Sequence, residues 1–154
     1  MRYPELALNI LKEKGLRITK PRCLVIELLD EAEQPLSAYE IKDTLSRRGE
    51  QVDTVSIYRI LDCLEENHLI HRVISSGKVR KCALDQEEAC ALEQHDHCHH
   101  FLVCEQCGQI EEVHCPGTEA LVGALQNSTR FLIKSHRMEF SGLCPSCQPA
   151  CIGI

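Results

Sequence analysis

Two pairs of cysteines, Cys104-Glu105-Gln106-Cys107 and Cys144-Pro145-Ser146-Cys147, are separated by 36 residues and constrain this chain more than any other feature. A two-residue gap lets both thiolates of a pair face one ion, and two such knuckles complete a tetrahedral four-cysteine zinc site. Gly108 follows the first pair and Pro145 lies within the second, so each pair sits in a turn. Zinc suits four thiolates because it binds them without redox chemistry of its own. A redox Cys-x-x-Cys needs only one pair, so the doubling favours structural zinc. Cys151 offers a further thiol that can replace one of the last pair.

The rest of the composition sharpens this. The chain has 154 residues, with 11 cysteines, 8 histidines and a formal net charge of -6. With 26% charged and 44% hydrophobic residues it reads as globular, not disordered. No apolar run approaches the ~18 residues of a membrane span, and the start Met1-Arg2-Tyr3-Pro4 has no signal-peptide core. The expected location is a reducing cytosol, with no membrane partner. There, thiols at this density point to metal or redox chemistry before disulfides.

The charge is unevenly spread. Residues 1–80 hold 13 Lys/Arg and 13 Asp/Glu, whereas residues 81–154 hold 4 and 10, with nine of the cysteines and six of the histidines. We expect two domains: 1–83, a hinge at 84–96, and 97–154. Each half is about 75 residues, a size at which a core alone is marginal and staples help.

In the first half, Leu6, Ile10 and Leu11 recur at helical spacing, and Gly15 ends that helix. Pro21 suits the first turn of a second helix carrying Leu24, Val25, Leu28 and Leu29. Ser37-Ala38-Tyr39-Glu40 is a capping box that opens a third. Asp53 or Thr54 caps a fourth, with Ile57, Ile60, Leu61 and Leu64 as its core stripe. Residues 69–74 and 79–82, around a Ser-Gly turn, form a hairpin signal. Helices followed by a hairpin describe a winged helix-turn-helix, or equally a small α+β domain without a DNA role. In the first reading the fourth helix is the recognition helix. Thr54, Ser56 and Arg59 lie on its polar face, with Tyr58 beside them; Arg59 can reach a guanine edge or a phosphate. Tyr58 taken alone is better explained as a core aromatic. Arg17, Lys20 and Arg22 then hold phosphates or probe the minor groove; otherwise they are a solvated basic surface. Asp62, Glu65 and Glu66 would repel phosphate at the far end, which suits a helix entering the groove by its N-terminus. Cys23 and Cys63 fit as small core residues.

In the second half, His95-Asp96-His97-Cys98-His99-His100 runs into Phe101-Leu102-Val103, an apolar strand, and Ile110 to His114 reads as its hairpin partner. Pro116 can start a helix with Glu119, Leu121 and Leu125, and Phe131 to Phe140 reads as a long strand carrying His136. These histidines cannot all bind one ion, and a surface His-rich tract without a specific site accounts for some of them.

Together, Gly15-Leu16-Arg17-Ile18-Thr19-Lys20-Pro21-Arg22, Thr54-Val55-Ser56-Ile57-Tyr58-Arg59, the His-rich segment leading to Cys104 and the two Cys-x-x-Cys pairs resemble the ferric uptake regulator family of bacterial metal-dependent repressors. The resemblance covers nearly the whole chain. It implies an α+β architecture: an N-terminal winged helix-turn-helix DNA-binding domain and a C-terminal α/β dimerisation domain with a four-cysteine zinc site. It implies a homodimer on a palindromic double-stranded DNA operator, and no enzyme. Tyr58 and Arg59 match the family's DNA-contacting pair, and Arg17 its minor-groove residue. His71, Cys82, His97 and Glu112 look like the sensing site of the zinc uptake regulator branch. Two imidazoles, one thiolate and one carboxylate suit tetrahedral zinc, and the thiolate is softer than iron- or peroxide-sensing sets supply. The register of the His-rich segment stays open, since His95 or His99 can stand in for His97. His99, His100, Glu119 and His136 fall where some relatives place a third metal; an exposed Glu and a core-edge His are the plain alternative. Cys90, Cys98, Cys115 and Cys151 remain without a role.

The expected function is a zinc-responsive transcriptional repressor that controls zinc uptake genes. The alternative is an iron- or peroxide-responsive repressor of the same family. A zinc deaminase is not matched, because the His-x-Glu element with its general base is missing.

Overall fold

The computed structural model describes residues 2–82, 99–114, 117–134 and 136–149. The expected hinge at 84–96, together with His95, His97, Cys90, Cys98, Cys115 and Cys151, lies outside the described residues. The chain divides into two compact units, Met1–Ala91 and Leu92–Ile154.

The first unit holds α1 (Tyr3–Glu13), α2 (Lys20–Glu31), α3 (Ala38–Arg47), α4 (Thr54–Glu66), β1 (Ile70–Arg72) and β2 (Val79–Lys81). Its core is aliphatic and shared by all four helices: Leu11, Val25, Ile26, Leu29, Ile41, Leu45, Ile57, Leu61 and Leu64 are each at most 1% exposed. On α1 the fully buried stripe is Tyr3, Ala7 and Leu11, not the expected Leu6 and Ile10, which are half-buried. The stripe runs along an i, i+4, i+8 row that the larger neighbouring side chains masked in the sequence. Gly15 takes a φ of +69° after α1, a left-handed turn that suits glycine.

The start of α3 is the capping box as expected. The Ser37 hydroxyl accepts from the Glu40 N–H at 3.2 Å, and the Glu40 carboxylate accepts from the Ser37 N–H at 2.7 Å. The Lys78 ammonium, 2.8 Å from Glu40, contributes most to holding that carboxyl at about 2, well below its usual range, and the Ser37 bonds add to this. Ser37→Ala should cost about 1 kcal/mol of stability in a denaturant titration. No change in the midpoint would mean that the cap is redundant.

β1 and β2 pair antiparallel, His71 opposite Arg80, and Leu36 adds a two-bond bridge to Val79 at 2.9 and 2.8 Å. This is the wing of a winged helix, tied near its turn to the segment between α2 and α3.

The second unit holds β3 (His99–Cys104), β4 (Ile110–His114), α5 (Thr118–Thr129) and β5 (Glu139–Gly142), with sheet order β4-β3-β5. β4 runs antiparallel to β3 as its hairpin partner, and β5 runs parallel to it. The expected long strand from Phe131 is shortened to β5. Arg130 caps α5 with a φ of 58°, and the Ile133 N–H is bonded by the Gln126 side chain at 3.0 Å. That donor is therefore satisfied by the helix and not by a neighbouring strand. Among the described residues, only Phe101 and Cys104 are buried apolar side chains in this unit.

Candidate metal centre and nucleic-acid face

The sheet brings the two cysteine pairs together. Cys104 closes β3, opposite Gly142 in the parallel β3–β5 register, and the Glu105 N–H bonds the Gly142 carbonyl at 2.9 Å. The second pair begins two residues beyond Gly142. Each knuckle is a tight turn. The Gly108 N–H bonds the Cys104 carbonyl at 2.9 Å, and the Cys147 N–H bonds the Cys144 carbonyl at 2.9 Å. Gly108, with a φ of +73°, turns the chain out of the first knuckle.

The four Sγ atoms of Cys104, Cys107, Cys144 and Cys147 all lie within 4.8 Å of one another, with Cys107 and Cys144 at 3.6 Å. Zinc–sulfur bonds of ~2.3 Å give a tetrahedron whose edge is about 3.8 Å, so the quartet fits one zinc ion. The electrostatics fit too. Backbone N–H groups, first that of Cys144 at 3.3 Å, draw the Cys104 thiol down to about 6. Cys147 is pushed up to about 12, chiefly by the neighbouring Cys144 and Cys107 sulfurs. Four crowded thiols cannot all ionise without a cation among them.

The expected sensing residues are placed unit by unit. His71 is the central residue of β1 and Cys82 directly follows β2; both are half-buried, and a His71 ring nitrogen and the Cys82 Sγ lie within 4.8 Å. Glu112 is half-buried in the middle of β4, opposite Phe101.

Of the candidate third metal position, His100 is buried, with Nε2 2.9 Å from the Thr118 hydroxyl, and its ring centroid is 5.5 Å from that of His136. Glu119 is exposed in the first turn of α5. Among the described residues, His100, Glu119 and His136 do not converge as the four thiols do.

The outer face of α4 carries Val55, Tyr58 and Arg59. Tyr58 is 41% exposed, so it is not a core aromatic. Ser56 bonds the cap of its own helix: its N–H donates to the Asp53 carboxylate at 2.9 Å, and its hydroxyl donates to the same group. These bonds, the Ser56 hydroxyl first, hold the Asp53 carboxyl below its usual range. Thr54 is half-buried. Arg17 is exposed, Lys20 pairs with Glu50 at 2.7 Å, and the Arg22 guanidinium donates to the Arg17 carbonyl. Arg22 therefore shapes the loop that presents Arg17.

Sequence reasoning missed the residues that hold the wing. Arg72 reaches Glu65 at 3.0 Å and Asp62 at 3.3 Å, so two of the carboxylates on α4 are matched by a cation. Lys81 reaches Asp30 at 2.5 Å, and the Tyr3 hydroxyl donates to the Leu69 carbonyl at 3.0 Å. Burial, then Cys82 and Asp30, push the Tyr3 phenol upward, so it stays a donor. The i, i+4 spacing of Tyr3, Ala7 and Leu11 was the available signal for Tyr3. The ion pairs had none, because each joins a strand to a helix across a change of element that breaks any fixed spacing.

A winged helix with an arginine on its outward helix, carried in one chain with a four-thiol metal centre, defines the class: a metal-binding winged-helix protein. The Ferric uptake regulator family model matches residues 13–141, and the chain belongs to that family. It is 31% identical over 140 residues to the Ferric uptake regulation protein of Neisseria gonorrhoeae, covering 90% of each chain. It is 28% identical over 139 residues to the Zinc uptake regulation protein of Escherichia coli (strain K12), covering 90% of this chain and 77% of that one. Among solved structures, a zinc uptake regulator in complex with zinc and DNA superposes with a TM-score of 0.79 at 27% identity, covering 96% of this chain and 95% of the other. Among the described residues, no helix is long and apolar enough to cross a membrane.

Proposed function

We propose that this chain is a zinc-responsive transcriptional repressor that binds palindromic operators as a metal-loaded homodimer and controls zinc uptake genes. The observation that carries the reading is the thiol of Cys82 beside the His71 imidazole in the wing. A soft thiolate with an imidazole favours zinc over the harder donors that suit ferrous iron. The similarity to a zinc uptake regulator bound to zinc and DNA supports the same choice.

In this reading Cys104, Cys107, Cys144 and Cys147 hold a permanent zinc that supplies structural cross-linking. His71, Cys82, His97 and Glu112 hold the regulatory zinc. That set takes two donors from each unit, so ligation restricts the angle between the units. In a dimer this angle sets the separation of two α4 helices, which must meet major grooves about 34 Å apart or a multiple of it. Arg59 would read a guanine edge and Tyr58 would add apolar contact with a neighbouring base. Arg17 would reach the minor groove or a phosphate, with Lys20 and Arg22 beside it. Second-unit side chains Leu121, Leu125, Phe131, Leu132 and Phe140, 45–73% exposed, are the apolar surface that a second copy would cover.

Iron response is the second reading, favoured by the 31% identity to a ferric uptake regulation protein. Operator binding measured against buffered free zinc and, separately, ferrous ion tests the choice. We expect half-maximal binding at far lower free zinc than free iron. Binding that follows iron and ignores zinc would overturn the zinc reading.

A further inference from the structure

The wing ends against one backbone carbonyl. Leu69 immediately precedes β1, and its oxygen accepts from the Tyr3 hydroxyl at 3.0 Å and from the Cys82 N–H at 3.1 Å. Tyr3 and Leu69 are buried, 5% and 3% exposed, and lie 66 residues apart in the chain. The first helix therefore reaches the point where the chain leaves β2. The residue before Cys82 is held as well. The Lys81 ammonium lies 2.8 Å from the Asp30 carbonyl, 2.5 Å from its carboxylate and 5.8 Å from the centre of the Tyr3 ring.

A carbonyl oxygen has two lone pairs. Here Tyr3 takes one and the Cys82 backbone takes the other. A buried tyrosine hydroxyl needs some partner, but a packing role alone does not select the oxygen that anchors Cys82.

We propose that Tyr3 is a positioning residue for Cys82, fixing through the Leu69 carbonyl the backbone that presents the thiol to the regulatory metal. The inference rests on the reading of Cys82 as a sensing ligand. Tyr3 does not touch the ion; it limits the orientations that Cys82 samples before the ion arrives. Groups that orient a metal ligand typically change affinity by about 10- to 100-fold.

Tyr3→Phe removes only the hydroxyl. The Leu69 carbonyl keeps its bond from Cys82, so no buried group is orphaned. The test compares Tyr3→Phe, Cys82→Ser and the double variant in the full chain, with the structural zinc retained. Three quantities are read: regulatory zinc affinity by chelator competition, hydrogen exchange of the Cys82 amide without regulatory metal, and the thiolate-to-metal absorption band after cobalt loading.

We expect Tyr3→Phe to lose about tenfold in regulatory zinc affinity, to exchange the Cys82 amide faster and to weaken the cobalt band. Helix content and zinc at the four thiols should not change. Tyr3→4-aminophenylalanine, which restores a para donor, should restore the affinity, and Tyr3→Phe should add nothing in the Cys82→Ser background. Parent-like affinity and exchange in Tyr3→Phe would overturn the positioning role while leaving the sensing reading intact. So would an equal loss with and without Cys82, or failure of the para donor to rescue. Parent-like zinc binding by Cys82→Ser would overturn the sensing reading itself.

Discussion

Cys104→Ser should strip the four-thiol centre of its zinc and unfold the second unit. Among its described residues that unit buries only Phe101 and Cys104 as apolar side chains, with His100 and Thr118 as buried polar ones. These described residues form no core like that of the first unit. Structural zinc contributes roughly 10–16 kcal/mol in small zinc-finger peptides, against a net stability of about 5–15 kcal/mol for whole domains. Loss of one thiolate therefore removes a term as large as the total. Cys104 is also the ligand most deeply built in: it is 4% exposed, its N–H bonds the Gln109 carbonyl at 2.8 Å, and its sulfur accepts from Cys144. Zinc stoichiometry should fall by one per chain, the second unit should lose amide protection, and sedimentation should show monomer. An unchanged dimer with unchanged thermal stability would remove the structural role.

The same centre carries a pH dependence with a definite sign. Zinc binding must displace the protons that the crowded thiols retain, since Cys147 is pushed up to about 12 and Cys107 is also raised. Thiol protons compete with the metal, so zinc is held more weakly as pH falls.

The helices of the first unit were legible because their signals are local. The Ser37–Glu40 box, the Asp53 cap and the apolar rows of α2 and α4 each lie within a few residues. The paired cysteines were legible because the two-residue gap is a chemical constraint in itself. What was not legible depends on distant partners. Nothing in the local pattern at Tyr3 announces Leu69, and nothing near Lys81 announces Asp30. The overextended strand at Phe131 had the apolar run Phe131-Leu132-Ile133, but among the described residues no strand of this chain pairs with it. Pairing depends on the sheet, and the sheet closes only where β5 meets β3. Ser56 carries a bond the helical pattern did not announce: its hydroxyl and N–H both donate to the Asp53 cap.

Cys82→Ser should leave the fold intact and abolish the dependence of operator binding on zinc. Serine matches the thiol closely in volume, and the backbone bond to Leu69 does not depend on the side chain. Cys82 is half-buried at the wing and belongs to neither cysteine knuckle, so the structural zinc should stay. What is lost is the one soft, ionisable donor of the proposed sensing set. If zinc tightens operator binding in the parent by roughly 5- to 150-fold, the usual scale of such coupling, the variant should show less than about twofold. Its metal-free affinity should equal the parent's, because Arg17, Tyr58 and Arg59 are untouched. Fluorescence anisotropy of a labelled operator against buffered free zinc gives both numbers. A full zinc response would exclude Cys82 as the sensor. Loss of the zinc response with a retained ferrous response would show that the remaining imidazole and carboxylate donors form the harder site, and that the Cys82 thiol sets the preference of the regulatory site for zinc.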